Sequence, residues 1–454
     1  MPAEPSSSTG LLRRNGPFAL LFTATAGSAI GSYLAALALS VDVYDATGSG
    51  RWLAALLIAD FLPVIVIGLT LGPLIDRLSR RRLMIVADLV RAATFATLPF
   101  VDEPGMIVAL AAVNGVATGF FRPAVWAGLP NMVADEDRER ATSLLSTVEH
   151  AAWMIGPVAA GGILAFSGPA LAYWVNAVTF LVSAALVARI PARLLKSHEP
   201  LSRGHWRDVR DGLGLVVRSR PLLTVLLAWG TAALATAGVN VAEVVFAKGE
   251  LGAGNVGLGV LVAGTGVGLL VGSFFASSVL GAIGMTKAYG GSLALMGVGW
   301  ALASQAPNLA IAVVLAAVAT LGNGCAIVCN QILVQRGAPD EMRGRSLAVL
   351  MSLYYACLGV GMVVAGVLTD AVGARTVWAL AGAVYLVAAL IAFVMTRRIR
   401  EAAIAERPEL ADDGLQRMGR LLDEIDETRR AEAERPPRSL PYVPRKRAGS
   451  EGRG

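Results

Sequence analysis

Charged residues and cysteines are scarce in this sequence, and each scarcity argues against a class of protein. Only 16% of the 454 residues are charged and 55% are hydrophobic, whereas an ordinary soluble protein carries about 25% charged residues. The apolar residues are concentrated before residue 397, and residues 397–454 are polar, rich in arginine and interrupted by proline. Such long uncharged apolar stretches are not typical of soluble domains, so the composition argues against a cytosolic enzyme.

Motifs for catalysis and for metal binding are also missing. The three cysteines, Cys325, Cys329 and Cys357, all lie in apolar stretches, which argues against a disulfide framework or a zinc site. No G-x-x-x-x-G-K-[ST], H-E-x-x-H or C-x-x-C pattern occurs. We therefore expect no enzymatic activity, no cofactor and no metal. The net charge of +6 comes from basic residues between apolar runs, so we expect no nucleic-acid partner.

Apolar segments long enough to cross a bilayer are what the sequence has in abundance. A helix needs about 20 mainly apolar residues to cross the hydrocarbon core. Continuous runs of this length do not fit tilted β-strands, so we predict an all-α integral membrane protein. The twelve predicted transmembrane helices are 18–44, 52–75, 83–101, 105–129, 141–166, 171–190, 222–247, 256–280, 286–306, 308–333, 346–370 and 375–396.

The basic residues of the loops predict the orientation of the chain, because short cytoplasmic loops carry an excess of Lys and Arg. Most of them lie on the side of the two termini, and the opposite side has only Arg51, Lys248 and Arg375. Both termini are therefore predicted to be cytoplasmic in a multi-pass protein of the plasma membrane. An even number of spans agrees with this orientation.

The two halves of the chain repeat each other. At an offset of 205, DEDRER at 135–140 aligns with DEMRGR at 340–345, and Gly161 aligns with Gly366. Two six-helix halves in parallel repeat are typical of secondary transporters, which bind substrate near the membrane midplane between the halves. The predicted organisation is a cytoplasmic N-terminus (1–17), a first half (18–190), a cytoplasmic linker (191–221), a second half (222–396) and a cytoplasmic polar tail (397–454).

The loop between the second and third spans carries a recognisable motif. It reads GPLIDRLSRRR over 72–82 and resembles the signature loop of the major facilitator superfamily, G-x-x-x-D-R-x-G-R-R, with Ser79 in place of the second glycine. Asp76 at a helix end can pair with arginine and face another helix terminus. The resemblance implies a conformational gating motif formed by Gly72, Asp76, Arg77, Arg80 and Arg81.

Further stretches narrow the resemblance to one branch of that superfamily. Arg122-Pro123, LPNMV at 129–133, Gly156-Pro157 and Gln335-Arg336 are similar to enterobactin exporters and macrolide-efflux-type carriers, over residues 15–396. The resemblance implies a monomeric, proton-coupled exporter that moves a drug-like or siderophore-like small molecule across the lipid bilayer. Such a substrate is hydrophobic or amphiphilic.

The direction of transport is less constrained than the fold. Antiporters of this kind carry G-P-x-x-G-G in span five, and here Gly156-Pro157-Val158-Ala159 is followed by Ala160 before the glycine pair. An importer or an uncoupled facilitator of the same fold therefore stays open as an alternative. A transport-dead relative that acts as a sensor or binds a partner is the rival from another functional class.

Spans three, four and five carry charges near their inner ends. Ionisable groups inside a membrane are costly, which makes each a candidate for function. Asp88, Arg91, Arg122 and Glu149 are predicted at one depth, roughly 8–12 Å from the inner ends of their spans. The formal charges of the two acids and the two bases sum to zero. We interpret them as an intramembrane charge network with a structural or gating role, and direct proton carriage is the alternative.

Four other residues are candidates for proton coupling. Asp60 lies about 12 Å from the outer end of span two and has no evident charged partner. Such a carboxylate favours its protonated form in low dielectric, as a proton carrier must; a water-exposed acid without coupling is the alternative. Asp42 and Glu243 occupy matching outer positions in the two halves and are interpreted mainly as interfacial acids. His150 lies about 100° around the helix from Glu149.

Uncharged polar and aromatic residues are candidates for a substrate cavity. Hydrogen bonding between helices, or simple packing, is the alternative for each. Aromatic walls suit a hydrophobic substrate. The candidates are Asn114, Asn176, Asn323, Asn330, Tyr354 and Tyr355.

Overall fold

Helices account for nearly all of the residues that the computed structural model describes, which are 8–70, 78–195 and 205–406. No strand occurs in these ranges. Met1–Arg397 form one unit. Arg398–Gly454 form a second unit, whose described residues, 398–406, are helical.

The first half contains six membrane-spanning helices. A short helix, Ser8–Arg14, precedes them, and Asn15 begins span 1 by accepting a hydrogen bond from the backbone N–H of Phe18. The bounds are Gly16–Thr47 for span 1, Gly50–Thr70 for span 2, Arg80–Thr97 for span 3 and Pro104–Gly128 for span 4. The 52-residue helix Arg138–Arg189 contains spans 5 and 6.

The second half follows a linker helix, His205–Arg218. Span 7 is Arg220–Val244, extended by a π-helical turn at Val245–Glu250. The 50-residue helix Gly254–Ala303 contains spans 8 and 9. Span 10 is Leu309–Gly337, span 11 is Asp340–Val372 and span 12 lies within Ala374–Glu406.

Two glycines divide the longest helices. Gly168 has φ 69° and Gly284 has φ 76°, a left-handed conformation that residues with a Cβ rarely adopt. These glycines fall in the gaps predicted between spans five and six and between spans eight and nine. Span 5 is therefore 138–167 and span 6 is 169–189, and spans 8 and 9 are 254–283 and 285–303. Ten helices of the described ranges are long and apolar enough to cross a membrane. That count includes span 6 but not span 5, and it takes spans 8 and 9 as one helix. Division of the two long helices at Gly168 and Gly284 therefore gives the predicted twelve spans.

Large apolar side chains are exposed along the spans. Phe166 is 91% exposed, Phe274 78% and Phe100 76%. In water such surfaces would promote association, whereas in a bilayer they contact lipid tails. This agrees with the predicted membrane protein.

Among the described residues, close contacts between the two halves lie at one end of the bundle. We call this end the distal face, because it lies opposite the start of span 1 and the end of span 12. Span 2 packs against span 11, and span 5 packs against span 8. At the second crossing the backbones of Gly161 and Gly259 touch, so that a Cβ on either residue would clash with the other. Small residues permit such close helix approach.

Candidate functional site

Asp60 and Asn114 form a polar pair between spans 2 and 4. The amide of Asn114 donates a hydrogen bond to Asp60 Oδ1 at 2.7 Å, and both side chains are half-buried. Gly115 makes this contact possible, because a Cβ at residue 115 would clash with the backbone oxygen of Asp60. Asp60, for which the sequence indicates no charged partner, therefore has a hydrogen-bond partner in the structure. Its partner is uncharged, and a sequence search restricted to charges does not find it.

Asp88 and Arg91 form a buried ion pair on span 3. Their side chains are 0% and 4% exposed. The guanidinium carbon of Arg91 lies 4.2 Å from the ring centre of Phe121 and 4.3 Å from that of Phe180, which belong to spans 4 and 6. Cation–π contacts of this kind hold three helices together. The pair thus lies inside the first half.

Arg122 and Glu149 form a second ion pair with different surroundings. Arg122 Nη2 of span 4 lies 2.9 Å from Glu149 Oε2 of span 5, and the side chains are 45% and 24% exposed. Tyr33 of span 1 and Tyr355 of span 11 lie near Arg122. Since Tyr355 belongs to the second half, this pair faces the space between the halves. The four residues of the predicted charge network thus form two ion pairs, one buried within the first half and one exposed between the halves.

The two repeat-matched acids also differ in their neighbours. Asp42 accepts a hydrogen bond from the hydroxyl of Tyr173 at 2.8 Å. Glu243 has no hydrogen bond or ion pair within the described part of the chain. Trp378 aligns with Tyr173 in the repeat, but its indole N–H donates to the carbonyl of Val239 at 3.3 Å. The second half therefore gives its acid no equivalent donor.

Two of the predicted cavity residues lie in helix contacts. Asn176 is 0% exposed, and its Oδ1 accepts a hydrogen bond from Thr179 while Gly31 of span 1 packs against it. Asn330 is also buried, and it accepts a hydrogen bond from Tyr289 Oη at 2.5 Å. In this structure both residues join helices instead of lining a cavity. Asn323 is half-buried.

Aromatic side chains of the second half form a cluster beside the exposed ion pair. The rings of Trp229 and Tyr354 are 4.7 Å apart, and those of Tyr354 and Tyr355 are 5.5 Å apart with an edge-to-face geometry. Tyr355 brings this cluster near Arg122 of the first half. Tyr33 and Trp229 were not among the predicted cavity residues, because no local feature of the sequence distinguishes an aromatic residue that faces a cavity from one that faces lipid.

Part of the predicted gating motif can be placed. Gly72, Asp76 and Arg77 lie outside the described residues, and so does the side chain of His150. Arg80 is buried at the start of span 3, and the guanidinium of Arg81 donates to the backbone carbonyl of Ala188 at the end of span 6. The contact of Arg81 with Ala188 stays within the first half.

The partial antiporter segment of span 5 contributes helix contacts. Gly156 packs against Tyr33 of span 1, where a Cβ would lie 2.5 Å from the tyrosine Cβ. Gly161 meets Gly259 of span 8. Span 5 thus contacts both Tyr33, which lies near the exposed ion pair, and span 8 of the opposite half.

Comparison with known proteins agrees with this architecture. The family of transmembrane secretion effectors matches residues 7–423. Multidrug efflux pump Tap of Mycolicibacterium fortuitum is 24% identical over 410 residues, which is 87% of this chain and 99% of that protein. The putative bacilysin exporter BacE of Bacillus subtilis is 26% identical over 306 residues, 66% of this chain and 76% of that protein.

Solved structures support the fold alone. An auto-inhibited peptide transporter of the POT family superposes with a TM-score of 0.67 at 15% identity, covering 84% of this chain and 97% of that one. The predicted twelve-helix fold is confirmed. The matched family covers nearly the whole chain. This chain belongs to the transmembrane secretion effectors of the major facilitator superfamily and is a multi-pass membrane transporter.

Proposed function

We propose that this transporter exports a hydrophobic or amphiphilic small molecule in exchange for protons, by alternating access between its two halves. The efflux pump and the exporter among its relatives support the outward direction. Rocking of one half against the other around a central site is the mechanism that this repeat architecture allows.

The observation that carries the proposal is the ion pair Arg122–Glu149. Charged side chains in a membrane protein that are not buried in protein face a water-filled cavity. This pair is partly exposed and lies near Tyr33 of its own half and Tyr355 of the other half. A substrate between the halves would therefore meet charge on one wall and the aromatic cluster of Trp229, Tyr354 and Tyr355 on the other.

Asp60 and Glu243 are the proposed proton carriers, one in each half. A carrier must gain and lose its proton during the cycle, so it should not be fixed in a strong ion pair. Within the described residues Asp60 accepts a hydrogen bond from the neutral amide of Asn114, and the nearby guanidinium of Arg91 is already paired with Asp88. Glu243 has no partner in the described residues. Asp42, bound by Tyr173, and His150 remain candidates from the sequence.

We also propose that the distal face is extracellular. This follows from the distribution of Lys and Arg, which predicts that both termini are cytoplasmic. We propose that the protein is a monomer in the plasma membrane. The described contacts Gly50–Thr369, Gly161–Gly259 and Asp45–Lys248 between the halves lie at the distal face, which would therefore be closed to the outside in this conformation.

Proton flux in reconstituted vesicles tests the proposal. The purified protein is placed in liposomes with an imposed pH gradient, and hydrophobic dyes and drugs are screened as substrates. We expect an active compound to move against its gradient and to accelerate collapse of the pH gradient. Transport that leaves the pH gradient unchanged would show an uncoupled facilitator, and accumulation in the opposite direction would show an importer.

A transport-dead relative would give a different result from each of these. In that case no compound would move through vesicles that contain correctly folded protein. Because the screen reports any solute movement, it separates the rival class without knowledge of the native substrate.

A further inference from the structure

Asp370, near the end of span 11, reaches across the distal face to the beginning of span 2. Its Oδ1 accepts a hydrogen bond from the backbone N–H of Gly50 at 2.5 Å. Its Oδ2 accepts from Ser49 Oγ at 2.8 Å and from the N–H of Arg51 at 3.3 Å. Arg51 Nε lies 3.4 Å from the same oxygen. One carboxylate of the second half thus binds three consecutive residues of the first half.

This arrangement is a helix cap supplied by the opposite half. The first N–H groups of a helix lack partners within the helix, and the N-terminus carries partial positive charge. Asp and Ser are among the preferred capping residues. In span 2 the hydroxyl of Ser49 accepts from the N–H of Arg51 at 3.2 Å. The backbone N–H of Gly50 has the carboxylate of Asp370 as its hydrogen-bond acceptor.

Packing reinforces the polar contact. A Cβ at Gly50 would lie 2.7 Å from Thr369 Cβ, so the chain of span 2 approaches span 11 as closely as glycine permits. One turn away, a Cβ at Gly366 would lie 2.6 Å from Ala54 Cβ. The carboxylate is therefore fixed directly above the start of span 2.

The internal repeat shows that this cap is specific to one of the two crossings. At the offset of 205, Asp370 aligns with Ala165 at the end of span 5. The crossing of spans 5 and 8 has the backbone contact of Gly161 with Gly259 and a weak hydrogen bond from Asn255 to the Leu164 carbonyl at 3.5 Å. Only the crossing of spans 2 and 11 places a carboxylate on a helix N-terminus, within the described residues.

We propose that Asp370 is a positioning residue of the transport cycle that favours the conformation with a closed distal face. When the halves separate there, the carboxylate must leave span 2, and the N–H of Gly50 loses its acceptor, while the N–H of Arg51 keeps Ser49 Oγ. The free energy of the cap therefore biases the conformational equilibrium toward the closed distal face. The proposal requires no particular substrate or coupling ion, so it can fail or hold independently of the proposed function.

Distance measurements between spin labels test it directly. Glu103 and Gln305 are exposed on the distal loops of the two halves and can be changed to cysteine after Cys325, Cys329 and Cys357 are replaced by alanine. Pulsed electron resonance on the full chain in lipid nanodiscs then reports the fractions with a short and a long distal distance. We expect Asp370→Ala to raise the ratio of the long to the short population by about fivefold, as loss of a typical cap predicts.

The matched control is Glu250→Ala. Glu250 Oε2 lies 3.5 Å from Arg375 Nε at the same face, but both residues belong to the second half. Removal of the Glu250 side chain should leave the distances between the two spin labels unchanged. Asp370→Asn keeps an acceptor oxygen without the charge and should give an intermediate shift; it also carries the test if Asp370→Ala does not fold. Equal distance distributions for the Asp370 variants and the Glu250 control would overturn the proposal.

Discussion

Four carboxylates of the spans have different neighbours, and at the residue scale these neighbours separate their roles. Asp42 accepts a hydrogen bond from Tyr173, and Asp60 accepts one from Asn114. Glu243 has no partner in the described residues. Asp88 is paired with Arg91 and buried completely. Because a carrier must exchange its proton, Asp60 and Glu243 fit that role better than the paired Asp88.

The first prediction concerns Asp60. The change Asp60→Asn keeps the shape of the side chain and its contact with Asn114 but removes the titratable group. We expect the variant to insert normally and to lose proton-driven transport, by at least about tenfold, as removal of an essential proton-transfer group does. The measurement is uptake into vesicles with and without a pH gradient.

A suitable control is Asp102→Asn, an exposed acid in the loop between spans 3 and 4. It should transport normally. If Asp60→Asn keeps its response to the pH gradient, Asp60 is not a carrier, and Glu243→Gln becomes the next variant to measure.

The second prediction contrasts the two arginines of the ion pairs. Arg91→Met leaves Asp88 as an uncompensated buried charge, which costs about 3–5 kcal/mol. Arg122→Met leaves Glu149 partly exposed, where a lost ion pair costs only about 0–1 kcal/mol. We expect thermal unfolding in detergent to show a large loss for Arg91→Met and a small one for Arg122→Met. The reverse order would contradict the burial that the structure gives these pairs.

At the scale of helices, small residues decide where polar side chains meet. Gly115 brings span 4 onto span 2 and so places Asn114 beside Asp60. Gly156 brings span 5 onto Tyr33, and Gly161 brings it onto span 8. The glycines of the spans therefore determine the geometry of the candidate site.

The third prediction follows from the contact of Gly115 with span 2. The change Gly115→Val places a side chain against the backbone of Asp60, and overpacking of this kind costs about 1–3 kcal/mol. Gly162→Val is the matched control, since nothing lies within 4 Å of a Cβ at that position. We expect a lower thermal midpoint and reduced transport for the first variant alone. Equal stability of the two variants would mean that span 4 does not closely approach the backbone of span 2 at Gly115.

At the scale of the whole molecule, the polar contacts between halves that the described residues make lie at the distal face. Lys248 of the second half forms an ion pair with Asp45 of the first and also contacts Asn255 at 2.8 Å. Asp370 binds the start of span 2. Alternating access requires these contacts to break once per cycle, because the site must open on both sides of the membrane.

The fourth prediction is that a covalent link across this face stops transport. Asp45 and Lys248 are both changed to cysteine in a background without native cysteines and are joined by a short reducible bifunctional reagent. Transport should fall to background and return after reduction. The control pair, Glu250 and Arg375, lies 3.5 Å apart within one half, and its cross-link should have no effect. Undiminished transport by the cross-linked first pair would exclude separation of the halves at this face.

The sequence by itself determined the number of spans, the places where the chain turns and the family. Span length follows from bilayer thickness and turns follow from local features such as Gly168, so both can be identified within a short stretch of residues. Only the tertiary structure decided which polar side chains meet. Asn114 is 54 residues from its partner Asp60, and Asp370 is 320 residues from Gly50. These pairings depend on how helices rotate and cross, which is set by close packing across the whole bundle rather than by any local pattern.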